Sequence, residues 1–163
     1  KDPKVKQIPY FSLEDIISGQ RESEFSRLFK KIIPEDGINQ INQSIIKYFS
    51  LESVLSHITI LNPDKIVDQV EAAMEILQNE LKISFTNNIK ICLYIHLSCL
   101  IERLVTKTQV EEFNPKTLIA FEQQNKDFIA SVTKSFNSIE ELYGVSIPSA
   151  EIYFIYEILK GKL

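Results

Sequence analysis

Apolar residues recur at intervals of three and four through Ile66, Val70, Ala73, Met74, Leu77 and Leu81, the spacing of one face of an α-helix. Leu118, Phe121, Phe128, Ile129, Val132, Phe136 and Ile139 repeat the pattern, with Asn125 as its one polar interruption. Between these stripes, the run from Ile89 to Val105 leaves almost no wholly polar face, which marks a central helix. Its polar exceptions, His96, Ser98, Glu102 and Arg103, need partners or an opening to solvent. Asn62-Pro63 and Asn114-Pro115 each place a capping residue before a proline at a first helical position. Pro148 opens a last helix that Gly161 can end, and Gly144 suits a left-handed turn after Tyr143. The spacing therefore predicts helices over 63–83, 87–108, 115–141 and 148–160.

Upstream, 22–33 and 35–48 also read as helical, with Pro34 between them; Leu51–Leu61 either extends the second or forms its own short piece. Residues 1–20, with Pro3, Pro9 and Gly19, read as a lead-in between domains. Few strand signals appear. The expected fold class is all-α: a bundle of about five core helices with short connections, plus N-terminal lead-in helices. The expected division is a lead-in over 1–61 and the bundle over 62–163.

Composition adds limits. A chain of 163 residues with 44% apolar and 25% charged residues can bury a core, and it contains no run of about 18 apolar residues that would span a membrane. A net charge of -4 argues against a surface that neutralises phosphates, so no direct nucleic-acid contact is expected. Cys92 and Cys99 would lie about 10 Å apart along a helix, too far for a disulfide. Free thiols suit a reducing compartment, so a soluble, cytoplasmic protein is expected. No signal peptide is visible, and a chain beginning at Lys1 reads as a piece of a longer one.

The chemistry concentrates at His96. Seven residues turn a helix by about 700°, so His96 and Arg103 share a face to within about 20°, two turns apart. Helical side chains lean toward the N-terminus, and an arginine fork in that position could meet an anion carried by the imidazole. Without further context, a lone histidine in an apolar run reads first as a satisfied core residue. His57 reads as ordinary. Cys92, His96 and Cys99 fall on one stripe, but two thiols two turns apart would not converge on one ion, so no metal is expected. Tyr143, Tyr153, Phe154 and Tyr156 read as core and subunit contact, and Glu111-Glu112 and Glu140-Glu141 as solvated faces. Paired catalytic carboxylates, a glycine-rich phosphate loop and a nucleophile elbow are all missing, which speaks against a self-sufficient enzyme and gives no cofactor to expect.

The run from His96 to Arg103, His-Leu-Ser-Cys-Leu-Ile-Glu-Arg, resembles the first histidine motif of PTS regulation domains. The ending Tyr143-Gly-Val-Ser-Ile-Pro148-Ser-Ala-Glu151 resembles the second motif, where a tight turn precedes a helix beginning near a glutamate. The variant is most similar to the C-terminal domain of sigma-54-dependent, PTS-controlled transcriptional activators of the levanase and mannose operon type. The resemblance covers residues 62–163, and Ile8–Gln20 is similar, less specifically, to their interdomain segment. It implies a helical, often dimeric regulatory domain with His96 as phosphoacceptor and Arg103 stabilising the phosphate. The donors it implies are the phosphocarriers HPr or a sugar-specific EIIB. Many such domains carry a second histidine seven residues after the glutamate; here that position is Ile158.

Two rival readings follow. One is a degenerate domain that only dimerises or docks on its neighbours, without phosphotransfer; an apolar surplus on the last helix makes a homodimer plausible in either case. The other is an RNA-binding antiterminator fragment, against which the negative charge counts.

Overall fold

Helix starts follow the capping residues. The computed structural model describes residues 10–108 and 113–163. Among them are α1 (Leu13–Ser18), α2 (Glu22–Phe29), α3 (Glu35–Leu55), α4 (Pro63–Leu81), α5 (Asn87–Thr106), α6 (Pro115–Gln124), α7 (Lys126–Tyr143) and α8 (Ser149–Leu159). The described residues contain no strand, and no helix is long and apolar enough to cross a membrane. The all-α class stands. Two compact units divide the chain inside α3, one ending at Ile45 and the other running from Ile46 to Leu163.

In the first unit, the segment read as a lead-in contains the short helix α1. Ser12 accepts from the Asp15 backbone at 3.1 Å, and Asp15 returns a bond to the Ser12 N–H at 2.9 Å. Such a capping box starts a helix even in an otherwise turn-rich stretch. Arg21 then gathers the unit, reaching Asp15 at 3.2 Å and Glu24 at 2.8 Å while lying 4.5 Å over the Phe11 ring.

The second unit holds the predicted bundle. Ile66, Val67, Val70, Ala73, Met74 and Leu77 of α4 are buried, as their spacing requires. α4 packs on α5 and α7, while α8 packs on α5, α6 and α7. Leu93, Leu97 and Leu100 of α5 are fully buried, so this helix is central. Residues 51–55 extend α3, and 56–62 form a loop. Lys47 of α3 reaches Asp68 and Glu71 on α4. Burial, with the nearby Glu71 charge, pushes the Tyr94 phenol far above its usual range.

The stripe over 115–141 is two helices, not one. Asn125 sits at φ -123°, ψ 37°, and both its N–H (2.9 Å) and its side-chain amide (3.0 Å) donate to the Phe121 carbonyl. An asparagine offering the backbone a competing partner breaks the helix. Residues seven apart rise about 10.5 Å in an unbroken helix; here the Phe121 and Phe128 rings stand 6.5 Å apart. Both meet Tyr156 of α8, at 5.3 and 5.4 Å. The bend exchanges regular hydrogen bonding for an aromatic cluster joining three helices.

Gly144 adopts the expected left-handed conformation at φ +62°. α8 ends at Lys160, just ahead of Gly161 as expected, with Lys160 in a right-handed conformation. Two lysines, Lys82 (φ +55°) and Lys107 (φ +53°), occupy left-handed positions that favour glycine. Lys82→Gly is expected to stabilise the chain by about 0.5–1 kcal/mol by removing the Cβ clash. Urea unfolding reads this as a raised midpoint; an unmoved or lowered midpoint would show that Lys82 stores no strain.

Candidate functional site

The least buried stripe of α5 runs through Cys92, His96, Cys99 and Arg103; Cys92 is exposed and the other three are partly buried. Opposite it lies the first turn of α8. Glu151 is the third residue of that helix, where the dipole favours a carboxylate. It is nevertheless only 1% exposed. A carboxylate so deeply buried needs compensation, and α5 supplies it.

Arg103 Nη2 donates to Glu151 Oε1 at 3.1 Å. His96 Nε2 stands 3.4 Å from Glu151 Oε2, a contact longer than a well-formed hydrogen bond. Both atoms of that contact are buried, and neither makes a hydrogen bond to a described residue. The His96 side chain is 23% exposed, and Nδ1 is neither buried and unpaired nor bonded to any described residue. Nδ1 is thus the nitrogen that faces solvent. Phe154, one turn along α8 and itself partly exposed, sets its ring centroid 6.1 Å from the imidazole. Phe113 stacks edge-on against Phe154 at 5.6 Å.

Arg103 and His96 share a face, as their spacing predicts, but what joins them is Glu151. The sequence motif placed a glutamate near the start of the last helix without assigning it a partner. Arg103 is paired to α8, remains 37% exposed, and keeps a buried Nε with no partner.

The neighbouring Glu102 turns to the other side. It is 7% exposed and accepts from the Thr59 N–H (2.9 Å) and hydroxyl (2.8 Å) and from the Ile60 (2.9 Å) and Leu61 (3.2 Å) N–H groups. Burial alone would raise its carboxyl pKa; the convergent donors outweigh that and hold it below the usual 4.5. The sequence reading flagged Glu102 as needing a partner but could not name a loop some forty residues upstream.

The remaining candidates are ordinary. Burial pushes the Cys99 thiol up against the opposing Arg103 charge, so it is a poor nucleophile. Both cysteines are free. His57 Nδ1 lies 2.8 Å from Ser56 Oγ and 3.0 Å from the Ser53 carbonyl, a local arrangement at the end of α3. No group of three potential metal ligands gathers among the described residues. Glu140, expected on a solvated face, instead accepts from the Ile147 N–H at 2.6 Å and holds the turn before α8. Glu111-Glu112 lies outside the described residues.

A family model described as the PRD domain matches residues 71–162. The chain is 30% identical over 163 residues to the transcriptional regulatory protein DagR of Salmonella typhimurium, with 96% of this chain covered. It is 27% identical over 170 residues to the transcriptional regulatory protein LevR of Bacillus subtilis, with 100% of this chain covered. The chain spans 17% of the length of each of these curated relatives. No solved structure matches it.

Glu102→Gln is expected to cost about 2 kcal/mol at neutral pH, because charge-assisted bonds to three backbone donors are weakened. The sign follows from the lowered pKa: this contribution is full above the ordinary carboxylate range and is lost as pH falls through the folded-state value. Denaturant melts of both proteins should therefore differ at pH 7 and converge on acidification. A gap that persists unchanged at pH 3 would contradict the assignment.

Proposed function

This chain belongs to the PRD family, and from that premise we propose that it is the regulatory domain of a transcriptional activator, switched by phosphorylation of His96. The observation that carries the proposal is an imidazole on the open stripe of α5, with Nδ1 free and a guanidinium held beside it through a shared buried carboxylate.

An acceptor histidine must present a neutral nitrogen to the incoming phosphorus. The donor is a phosphocarrier of the sugar phosphotransferase system, HPr or EIIB, carrying phosphohistidine or phosphocysteine. Arg103 has donors beyond the one engaged by Glu151, and a planar fork suits an oxyanion. It would offset charge as the phosphoryl group arrives. The product adds up to about two negative charges, by analogy with other phosphorylated side chains. Those charges would sit across the imidazole ring from the buried Glu151 carboxylate, so the packing of α8 on α5 is the element they would bias. A cytoplasmic location, a homodimer and attachment to sigma-54-dependent machinery belong to the same proposal.

Two observations favour the alternative of a degenerate, purely structural domain. Ile158 occupies the place of a second histidine, and Arg103 already has a structural partner.

Phosphotransfer separates the two. After incubation with phosphoenolpyruvate, enzyme I, HPr and EIIB, mass spectrometry should find one phosphate per chain. His57→Ala should retain it and His96→Ala should lose it. Arg103→Ala should slow loading about a hundredfold. Label that survives His96→Ala intact would end the proposal.

A further inference from the structure

We infer that Glu151 is a positioning residue that holds His96 in the Nε2–H tautomer, so that phosphoryl transfer occurs at Nδ1. The inference rests on His96 being the phosphoacceptor, and it specifies which of the two ring nitrogens reacts.

Two buried atoms face each other between α5 and α8. His96 Nε2 and Glu151 Oε2 are 3.4 Å apart, and neither has a hydrogen-bond partner among the described residues. A carboxylate oxygen can only accept. If Nε2 carried a lone pair, two acceptors would confront each other in a low-dielectric setting at a separation too short for an intervening water, an arrangement that costs free energy on both sides. A proton on Nε2 removes that conflict and sets an N–H dipole against the carboxylate oxygen, although at 3.4 Å the pair falls short of hydrogen-bond geometry. A neutral imidazole with Nε2–H leaves its lone pair on Nδ1, the nitrogen that faces solvent.

Glu151 is well built for this task. Its other oxygen is held by Arg103 Nη2 at 3.1 Å, which fixes the rotation of the carboxylate. Its backbone N–H is tied to the Pro148 carbonyl at 2.9 Å, and its side chain is 1% exposed. A group so restrained cannot swing away to let the ring invert its tautomer. The Phe154 ring, 6.1 Å from the imidazole, further limits the ring's freedom.

Charge balance in the reaction agrees with this placement. The Nδ1 lone pair forms the new N–P bond as the donor's P–N or P–S bond breaks. The departing nitrogen or sulfur keeps that bond's electron pair. No proton has to leave His96: the ring retains Nε2–H, becomes cationic, and sets its positive charge against the Glu151 carboxylate. An acidic residue that orients an imidazole and stabilises its cation is a known catalytic arrangement.

His57 supplies an internal reference, because the chain has two histidines. The Ser53 carbonyl lies 3.0 Å from His57 Nδ1 and can only accept, so that ring favours the opposite tautomer.

The test uses the 163-residue chain with nitrogen-15-labelled histidine. Long-range proton–nitrogen spectra above the imidazole titration should show Nδ1 of His96 as the pyridine-like nitrogen. After phosphorylation by the carrier proteins, nitrogen shifts and isomer-specific antibodies should place phosphate on Nδ1. Glu151→Gln, confirmed as folded by circular dichroism, should lose the tautomer preference and yield mixed isomers. Its transfer rate should fall about a hundredfold, with the carrier concentration for half-maximal rate little changed. A pyridine-like Nε2 in the native chain, or phosphate on Nε2, overturns the inference while leaving the phosphoacceptor intact. Absence of any phosphate overturns the phosphoacceptor reading instead, and the tautomer spectrum still decides the role of Glu151. If Glu151→Gln does not fold, the native spectrum alone decides.

Discussion

A carboxylate withdrawn from water must be answered by positive charge or donors, and this constraint organises the second unit around Glu151. Its burial at the first turn of α8 holds only because α5 brings Arg103 and His96 to its two oxygens. Replacing one partner of such a group strands the other in the interior, which is why these pairs bind helices together more through the penalty of breaking them than through net attraction. The helix dipole helps by aligning positive potential with the carboxylate. The same ion arrangement that joins two helices also fixes the surroundings of the one histidine on the open stripe of α5, so the structural role and the proposed chemical role fall on the same atoms.

Much of the fold could be read from local pattern. The α4 stripe, the all-round apolar α5 and the proline-marked starts of α4 and α6 depend on periodicity and capping, both of which a single sequence displays. The bend at Asn125 was visible only as a polar interruption. Whether asparagine continues a helix or breaks it depends on what the flanking rings can reach, and here Tyr153 and Tyr156 of α8 reward the break. The Ser12–Asp15 capping box of α1 lies in a stretch whose Pro3, Pro9 and Gly19 alone give the lead-in reading.

The site was legible to a different depth. Spacing along one helix places His96 and Arg103 on a shared face without any tertiary information. Their link through Glu151 crosses 48 residues, and that of Glu102 to its loop crosses 43. No periodicity encodes such distances. Apolar helices advertise that their polar residues need partners, but the identity of each partner belongs to the packed chain.

Adjacent residues 102 and 103 engage opposite neighbours. Glu102 moors α5 to the loop ahead of α4, whereas Arg103 meets α8. The central helix is therefore pinned like a fixed post on one flank while its other flank carries the ionisable cluster. Under the proposed phosphorylation, a new charge at the imidazole would bear on the contact with α8 and the Gly144 turn that leads into it, not on the flank moored by Glu102.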